Sequence, residues 1–151
     1  MTGLPVIPPL RALDPPPGYK AYDLVDPFEA ELGPLFRKQG NEGAEKQGGP
    51  VELAAFIDDR HCAPDGRAAP GALWLFADAF CGWTGFFYLD LEWCVTVRMN
   101  LELLNRPKNG ALLTAQGRIV HHEDKIMRID AAFEADGAAV MLARSTWKIT
   151  G

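Results

Sequence analysis

Pro70-Gly-Ala-Leu-Trp-Leu-Phe-Ala-Asp78-Ala-Phe-Cys-Gly-Trp-Thr84 is the stretch on which the fold turns. Leu73, Trp74, Leu75, Phe76, Phe80 and Trp83 fall all round a helix instead of along one stripe, and a helix that is apolar on every side is buried on every side. Pro70 suits the first helical position, where a missing N–H costs nothing. The spacing predicts a buried helix from residue 71 to about 84. Between residues 68 and 89 the only charge is Asp78, a run long enough to cross a bilayer. An Asp at the centre of a span costs roughly 2.5–3.5 kcal/mol, however, and Pro70, Gly71, Gly82 and Gly85 interrupt the run. The segments that follow also need a core to cover, so a membrane span is not expected.

Those segments change period. In residues 94–103, Val95, Val97, Met99, Leu101 and Leu103 alternate with Thr96, Arg98, Asn100 and Glu102, which reads as a strand with one apolar face. Residues 105–110 form a turn, 111–122 a long strand, and 121–124 the next turn. Met127, Ile129, Ala131 and Phe133 line one face of the strand after it. Asp136-Gly137 is a hairpin signal, and Met141, Ala143, Ser145, Trp147 and Ile149 share a face in the last strand. Upstream, Asp26-Pro27 opens a helical turn or two that Gly33 stops. Residues 35–39 and 51–57 read as strands, the polar run 40–49 as a turn or mobile loop, and 61–70 as a Pro/Gly loop. An antiparallel sheet wrapped around one long buried central helix is an α+β fold.

The 151 residues suit one domain over residues 19–151, preceded by a proline-rich arm over 1–18 with prolines at 5, 8, 9, 15, 16 and 17. That arm has no basic-then-apolar signature of a signal peptide. A formal net charge of −5 argues against nucleic acid as the main partner. Cys62, Cys81 and Cys94 are odd in number and lack metal spacing, which points to a reducing, cytoplasmic setting. No metal is expected, because His121-His122 has too few further ligands nearby. Arg98, Arg106, Lys108, Arg118, Lys125 and Arg128 read as solvated cations, with one or two available to phosphates.

Asp78 carries the chemistry. A lone carboxylate in a buried helix must be paired, hydrogen-bonded or protonated. Burial would lift its pKa toward the range of a general base. The alternative is a structural Asp that bonds backbone groups or a side chain of a partner subunit.

The run His61-Cys-Ala-Pro-Asp-Gly66-Arg-Ala-Ala-Pro70-Gly71, followed by Phe76-Ala77-Asp78, resembles the phenylacetyl-CoA-type (PaaI-like) thioesterases of the hotdog superfamily. That family shows an H-x-N-x-x-G-x-x-H-G-G loop and then an L-A-D-like triplet on a helix. Without a gap, His61 falls on the first His, Gly66 on the mid-loop Gly, Gly71 on the second Gly of the pair and Asp78 on the catalytic acid. Val95-Thr96-Val97-Arg98-Met99-Asn100-Leu101 is similar to the family's V-S/T-V-x-M-N strand and puts Thr96 on the assisting Ser/Thr. The resemblance covers residues 19–150. It implies a hotdog fold, hydrolysis of an acyl-CoA by Asp78 as base or nucleophile, and an oxyanion site at the start of the helix. It also implies a homodimer, or a dimer of dimers, with loop residues of one subunit meeting the Asp of the other. Coenzyme A enters as part of the substrate and no separate cofactor is implied. Lys125 is similar in position to a turn cation that meets CoA phosphates in some relatives.

Three positions depart from the pattern. The loop Asn is Ala63, the second His is Ala69, and the first Gly of the pair is Pro70. In the family that Gly offers the N–H that binds the thioester oxygen, and proline has none. Losing one oxyanion donor costs about 10²–10³ in rate, so the site is either rebuilt around Gly71 or weakened. Three readings follow: a thioesterase, a protein that binds acyl-CoA without turnover, or an enoyl-thioester hydratase/dehydratase. The last is suggested by His61, Pro70-Gly71 and Leu73, but Asp78 then lies about one helical turn too late. His61 has a simpler reading as a strand-end residue bonded to backbone.

Overall fold

The computed structural model describes residues 13–22 and 26–151. The proline-rich arm expected over residues 1–18 lies, up to residue 12, outside the described residues. The elements in chain order are β1 (Tyr19–Ala21), a 3-10 turn Glu29–Leu32, β2 (Leu35–Lys38), α1 (Glu42–Lys46), β3 (Val51–Phe56), a second 3-10 turn Asp59–His61, α2 (Pro70–Tyr88), β4 (Cys94–Leu103), β5 (Leu112–Glu123), β6 (Ile126–Ala135) and β7 (Ala138–Ile149). All strand pairs are antiparallel, in the order β1-β2-β3-β5-β6-β7-β4. The sheet curls around α2, so the α+β arrangement expected from the sequence is present.

The periodicities explain the core. Met127, Ile129, Ala131 and Phe133 of β6 and Met141, Ala143, Ser145, Trp147 and Ile149 of β7 are all buried on the face toward α2. Asp136 and Gly137 adopt φ of 52° and 74°, which closes the β6–β7 hairpin with the twist the strands need. From the helix side, Leu73, Phe76 and Phe80 are fully buried, and Phe80 stacks on Phe133 with centroids 5.8 Å apart. Each such side chain contributes about 1.5–3 kcal/mol by leaving water. α2 starts at Pro70 as expected but runs a further turn, to Tyr88.

Four expectations are corrected. Burial of α2 is not uniform: Trp74 is 43% exposed, and Gly71, Leu75, Asp78, Gly82 and Phe86 form a half-open stripe at helical spacing. The expected loop at 40–49 contains α1, because Glu45 is drawn fully inside to pair with Arg37, whose guanidinium also lies 3.7 Å from the Phe87 ring centroid. β5 continues through His121 and His122, which pair with Arg128 and Met127 of β6, and His122 Nδ1 shares a hydrogen bond with the Tyr88 hydroxyl, so the expected turn over 121–124 falls later. The apolar face expected along β4 is broken by a bulge at Val97: Thr96 pairs with Trp147, but Arg98 pairs with Thr146. Val95 and Val97 are therefore exposed, while Met99 and Leu101 still pack on the core.

α2 can approach the sheet only because β5 has no side chain at Gly117. A Cβ there would overlap the Thr84 hydroxyl, which donates to Phe80 O at 2.8 Å. Gly117→Ala is expected to destabilise the protein by about 1–3 kcal/mol through overpacking. Adding Thr84→Ala should recover most of that loss, as measured by urea unfolding of both single variants and the double variant.

Candidate active site

Three residues of the half-open stripe of α2 form the floor of a cleft of about 460 Å³. Asp78 stands at one end, Gly82 in the middle and Phe86 at the other. One wall is the segment of Asp26 and Glu29; the opposite wall is Trp93, Cys94, Val95 and Thr96. Trp83 and Trp147 close the sides. Gly82 lets the Trp147 ring in: a Cβ there would lie 3.2 Å from it. Trp147 is fixed by its own N–H, which donates to Ser145 Oγ at 2.7 Å, and Ser145 donates on to Ile129 O at 2.9 Å. At the far end, Asp90 and Leu91 take left-handed φ of 55° and 77°. This reversal lays Trp93 against Phe86, with centroids 4.9 Å apart.

Thr96 Oγ1 donates to Asp78 Oδ1 at 2.5 Å. The contact depends on the Val97 bulge. With unbroken alternation Thr96 would lie on the outer face with Arg98 and Asn100; the extra residue puts Cys94 on the core side with Met99 and Leu101 and sets Thr96, itself exposed, on the cleft. Asp78 is half-buried, not enclosed as the apolar surroundings of the helix suggested. Its Oδ2 has no hydrogen-bond partner among the described residues, so one carboxylate oxygen is held and the other faces the cleft.

Two other groups on this cleft differ in what they can do. Burial pushes the Cys94 thiol up to about 11, and Asp78 adds to the shift. Cys94 therefore stays protonated near neutral pH and is no nucleophile. Glu29, on the facing wall, accepts from Trp83 Nε1–H at 2.8 Å. Burial raises its carboxyl above the usual range, the Trp83 bond opposes this, and Asp26 and Asp78 raise it further. Among the described residues no three His, Cys, Asp or Glu side chains converge closely enough to hold a metal ion.

Of the residues singled out in the sequence, the cleft brings together Asp78 and Thr96. Gly71 lies seven residues before Asp78, about 10 Å along the helix axis, exposed in the first turn. His61 at the end of the second 3-10 turn, Ala63, Gly66 and Ala69 in the loop leading into α2, and Pro70 at its first position do not line the cleft. That loop closes on itself: Ala63 N–H donates to Arg67 O, Gly66 N–H to Ala63 O, and Ala69 N–H to His61 O, all at 2.8–2.9 Å. Arg106, expected as a solvated cation, clamps the loop by a bidentate pair with Asp65 and by bonds to Ala68 O and Arg67 O. Lys125 sits exposed in the β5–β6 turn, where its carbonyl accepts from Ile149 N–H, and it does not reach the cleft.

His61 ends the 3-10 turn Asp59–His61, not a strand, and it does bond backbone. Its Nδ1 accepts from Asp58 N–H at 2.9 Å, its ring packs on Phe76, and it is 4% exposed. Nε2 lies against the backbone near Glu31 and Leu32 without a hydrogen bond of normal geometry. Glu29 and the two tryptophans at 93 and 147 had no such forewarning. Nothing in the local pattern brings the 3-10 turn against α2, and Trp147 reads only as a core face. The bulge did leave a trace: alternation puts Thr96 outside while the V-S/T-V resemblance puts it beside Asp78, and one extra residue reconciles them.

No family model and no curated protein sequence matches the chain. Solved structures do. The PaaI protein from the phenylacetic acid degradation operon of E. coli aligns at TM-score 0.70 and 16% identity, covering 84% of this chain and 86% of that one. A putative thioesterase, phenylacetic acid degradation-related, from Ralstonia eutropha JMP134 aligns at TM-score 0.70 and 22% identity, covering 83% and 92%. A hypothetical thioesterase from Streptococcus pneumoniae TIGR4, solved with coenzyme A, aligns at 0.63 and 22%, covering 68% and 82%. The fold is the hotdog fold.

Burial pushes the His61 imidazole below its ordinary value. The unfolded chain then binds a proton that the folded chain refuses, so stability falls as pH drops through about 6.5 and below. Wild type is expected to lose stability more steeply than His61→Gln on acidification from about pH 7.5 to 5.5. The difference should be at most about 1.4 kcal/mol per pH unit, read by urea unfolding; equal slopes would refute the buried neutral imidazole.

Proposed function

We propose that the protein hydrolyses an acyl-CoA thioester, with Asp78 as general base toward water or as nucleophile. The observation that carries this is the Thr96 hydroxyl donating to Asp78 Oδ1 at the mouth of an aromatic-walled cleft. A held oxygen fixes the carboxylate plane while the free oxygen takes a proton from water. Water's oxygen bonds to the thioester carbon, the carbonyl becomes an oxyanion, and its collapse breaks the C–S bond. The CoA thiolate leaves and recovers the proton, and the acyl group departs as a carboxylic acid. Coenzyme A is part of the substrate, and this scheme uses no cofactor. Support comes from the likeness to a hypothetical thioesterase solved with coenzyme A and to PaaI. No cationic side chain lines the cleft among the described residues; Lys125 is the turn cation assigned to the CoA phosphates in this reading.

The oxyanion needs donors. Pro70 has no N–H, but Gly71 and Ala72 follow in the first turn of α2, where N–H groups have no partner within the helix and the dipole favours negative charge. Gly71 is about 10 Å along the axis from Asp78, too far for one carbonyl to touch both within a single subunit. A second copy therefore supplies one of them, with its loop of His61, Ala63, Gly66, Ala69 and Pro70 facing the cleft. β4 offers the surface: it is a sheet edge with unpaired backbone, and Val95 and Val97 are 50% and 59% exposed. The competing reading, a binder without turnover, is favoured by one observation: Ala63 and Ala69 offer no polar side chain from that loop.

Release of free thiol from short, long and aromatic acyl-CoAs is the direct measurement. Asp78→Asn is expected to lower kcat/KM by about 10² or more, and Thr96→Ala by about tenfold, the worth of one hydrogen bond to a charged group. Acyl-CoA bound tightly by wild type without thiol release would instead establish the binder. Val97→Arg, which puts a charge on the β4 edge, is expected to give a monomer in sedimentation velocity and to lose turnover with it; an active monomer would sink the shared site.

A further inference from the structure

The outer face of the sheet carries charge that neither the core nor the cleft uses. Strand register sets two neighbouring rows across β5, β6, β7 and β4. One runs Arg118, Asp130, Arg144, Asn100; the next runs His121, Arg128, Thr146, Arg98. The residues between them along each strand, such as Ile129 and Ser145, are buried toward α2, so these rows face away from it. Arg118, Arg128, Arg144 and Arg98 form a zigzag of diagonal cross-strand neighbours, each step about 7–8 Å. All four are exposed, and none has an ion pair or a side-chain hydrogen bond among the described residues. Lys148 stands in the row beyond, beside Ile126. Asp130 is the one acid within the two rows. Glu52, Glu102 and Glu134 belong to rows on the far side, and Glu123 lies at the end of β5, 3.6 Å from His121. Four arginines and a lysine therefore crowd one face of a chain whose formal net charge is −5. Like charges this close repel at low salt, so an anionic surface laid against them relieves a standing cost.

The chemistry of the face narrows what that surface is. Among the described residues, the outward positions of these four strands hold no Phe, Tyr or Trp, the rings on which single-stranded nucleic acid stacks. A second copy would set the same arginines against each other. A shaped protein site needs its side chains held in one geometry, and no neighbouring side chain holds these guanidinium groups. A fluid layer of anionic headgroups needs no such fit, only cations within a Debye length. Val120 and Ile126, 50% and 41% exposed, add apolar contact at the edge of the patch. We propose that this arginine face docks the protein on a bilayer surface rich in anionic phospholipid, with headgroup phosphates and carboxylates taken by Arg98, Arg118, Arg128 and Arg144. Attachment is peripheral: no helix of the described residues is long and apolar enough to cross a membrane. α2, which carries Asp78, lies on the opposite face of the sheet, and the docking is independent of what the cleft does.

Co-sedimentation of the whole chain with vesicles tests this. Vesicles of phosphatidylcholine with about one-third phosphatidylserine are expected to bind it at about 0.05 M salt, and vesicles of phosphatidylcholine alone are not. About 0.5 M salt should release it, because screening then acts within a few ångströms. Arg118→Gln combined with Arg144→Gln is expected to weaken binding roughly 20- to 30-fold, about fivefold per arginine. Lys20→Gln combined with Lys46→Gln removes the same charge from β1 and α1 and should change binding by less than about twofold. All four positions are exposed, and unchanged urea unfolding of both double variants guards against a folding defect. No binding to the phosphatidylserine vesicles at low salt, or equal weakening by the two double variants, would overturn the proposal. An RNA duplex or polyglutamate bound where vesicles are not would give the face to nucleic acid or to an acidic protein instead.

Discussion

Everything in this protein is arranged around the close seating of α2 in the curl of the sheet. Helix and strand backbones meet where β5 has only Gly117 to set against Thr84, and the Thr84 hydroxyl turns back to Phe80 O instead of toward the strand. With that contact made, Leu73, Phe76 and Phe80 fill the space over β6 and β7. The helix can then bury most of its surface and still leave one stripe for the outside. A close-packed interior does not deform gradually, so the stripe that remains open is fixed in place as firmly as the core.

Function uses what that seating leaves over. The open stripe carries Asp78, Gly82 and Phe86, and each has a consequence. Asp78 sits where water can reach it, Gly82 admits Trp147, and Phe86 receives Trp93 from a chain reversal with two left-handed residues. The opposite wall meets Asp78 only because β4 carries one residue too many. The Val97 bulge brings Thr96 to Asp78 and leaves Val95 and Val97 exposed along the β4 edge. One backbone irregularity thus builds the hydrogen bond on which the proposed hydrolysis rests and bares the apolar edge on which the proposed second subunit would sit.

The loop before α2 shows how far motif spacing reaches. Its spacing fits the resembled motif without a gap although three of its residues differ, and within the chain the loop residues serve each other: His61 bonds Asp58, Ala69 bonds His61, and Arg106 ties down Asp65, Arg67 and Ala68. The loop is a preformed surface, and in the proposed dimer it is a surface for the other subunit. Ala63, Ala69 and Pro70 leave that surface without the polar groups of the resembled motif, and in the proposed reaction the oxyanion donors are then the N–H groups of Gly71 and Ala72.

Much of this was readable from the chain. Alternation over residues 126–149, the Asp136-Gly137 turn and Pro70 ahead of an apolar run are local patterns, set by the two-residue period of strands, by left-handed φ and by the missing proline N–H. They determine the strands, the hairpin and the start of the helix, and Asp78 stands out in the sequence because a charge amid apolar residues always needs a reason. Tertiary structure alone decided the rest. How far Asp78 is buried, that Glu29 faces it, that α1 forms around a Glu45–Arg37 pair, and that Val97 is skipped in the β4 ladder all depend on residues distant in sequence meeting in space. Such meetings are fixed by packing of whole elements, and no local period records them.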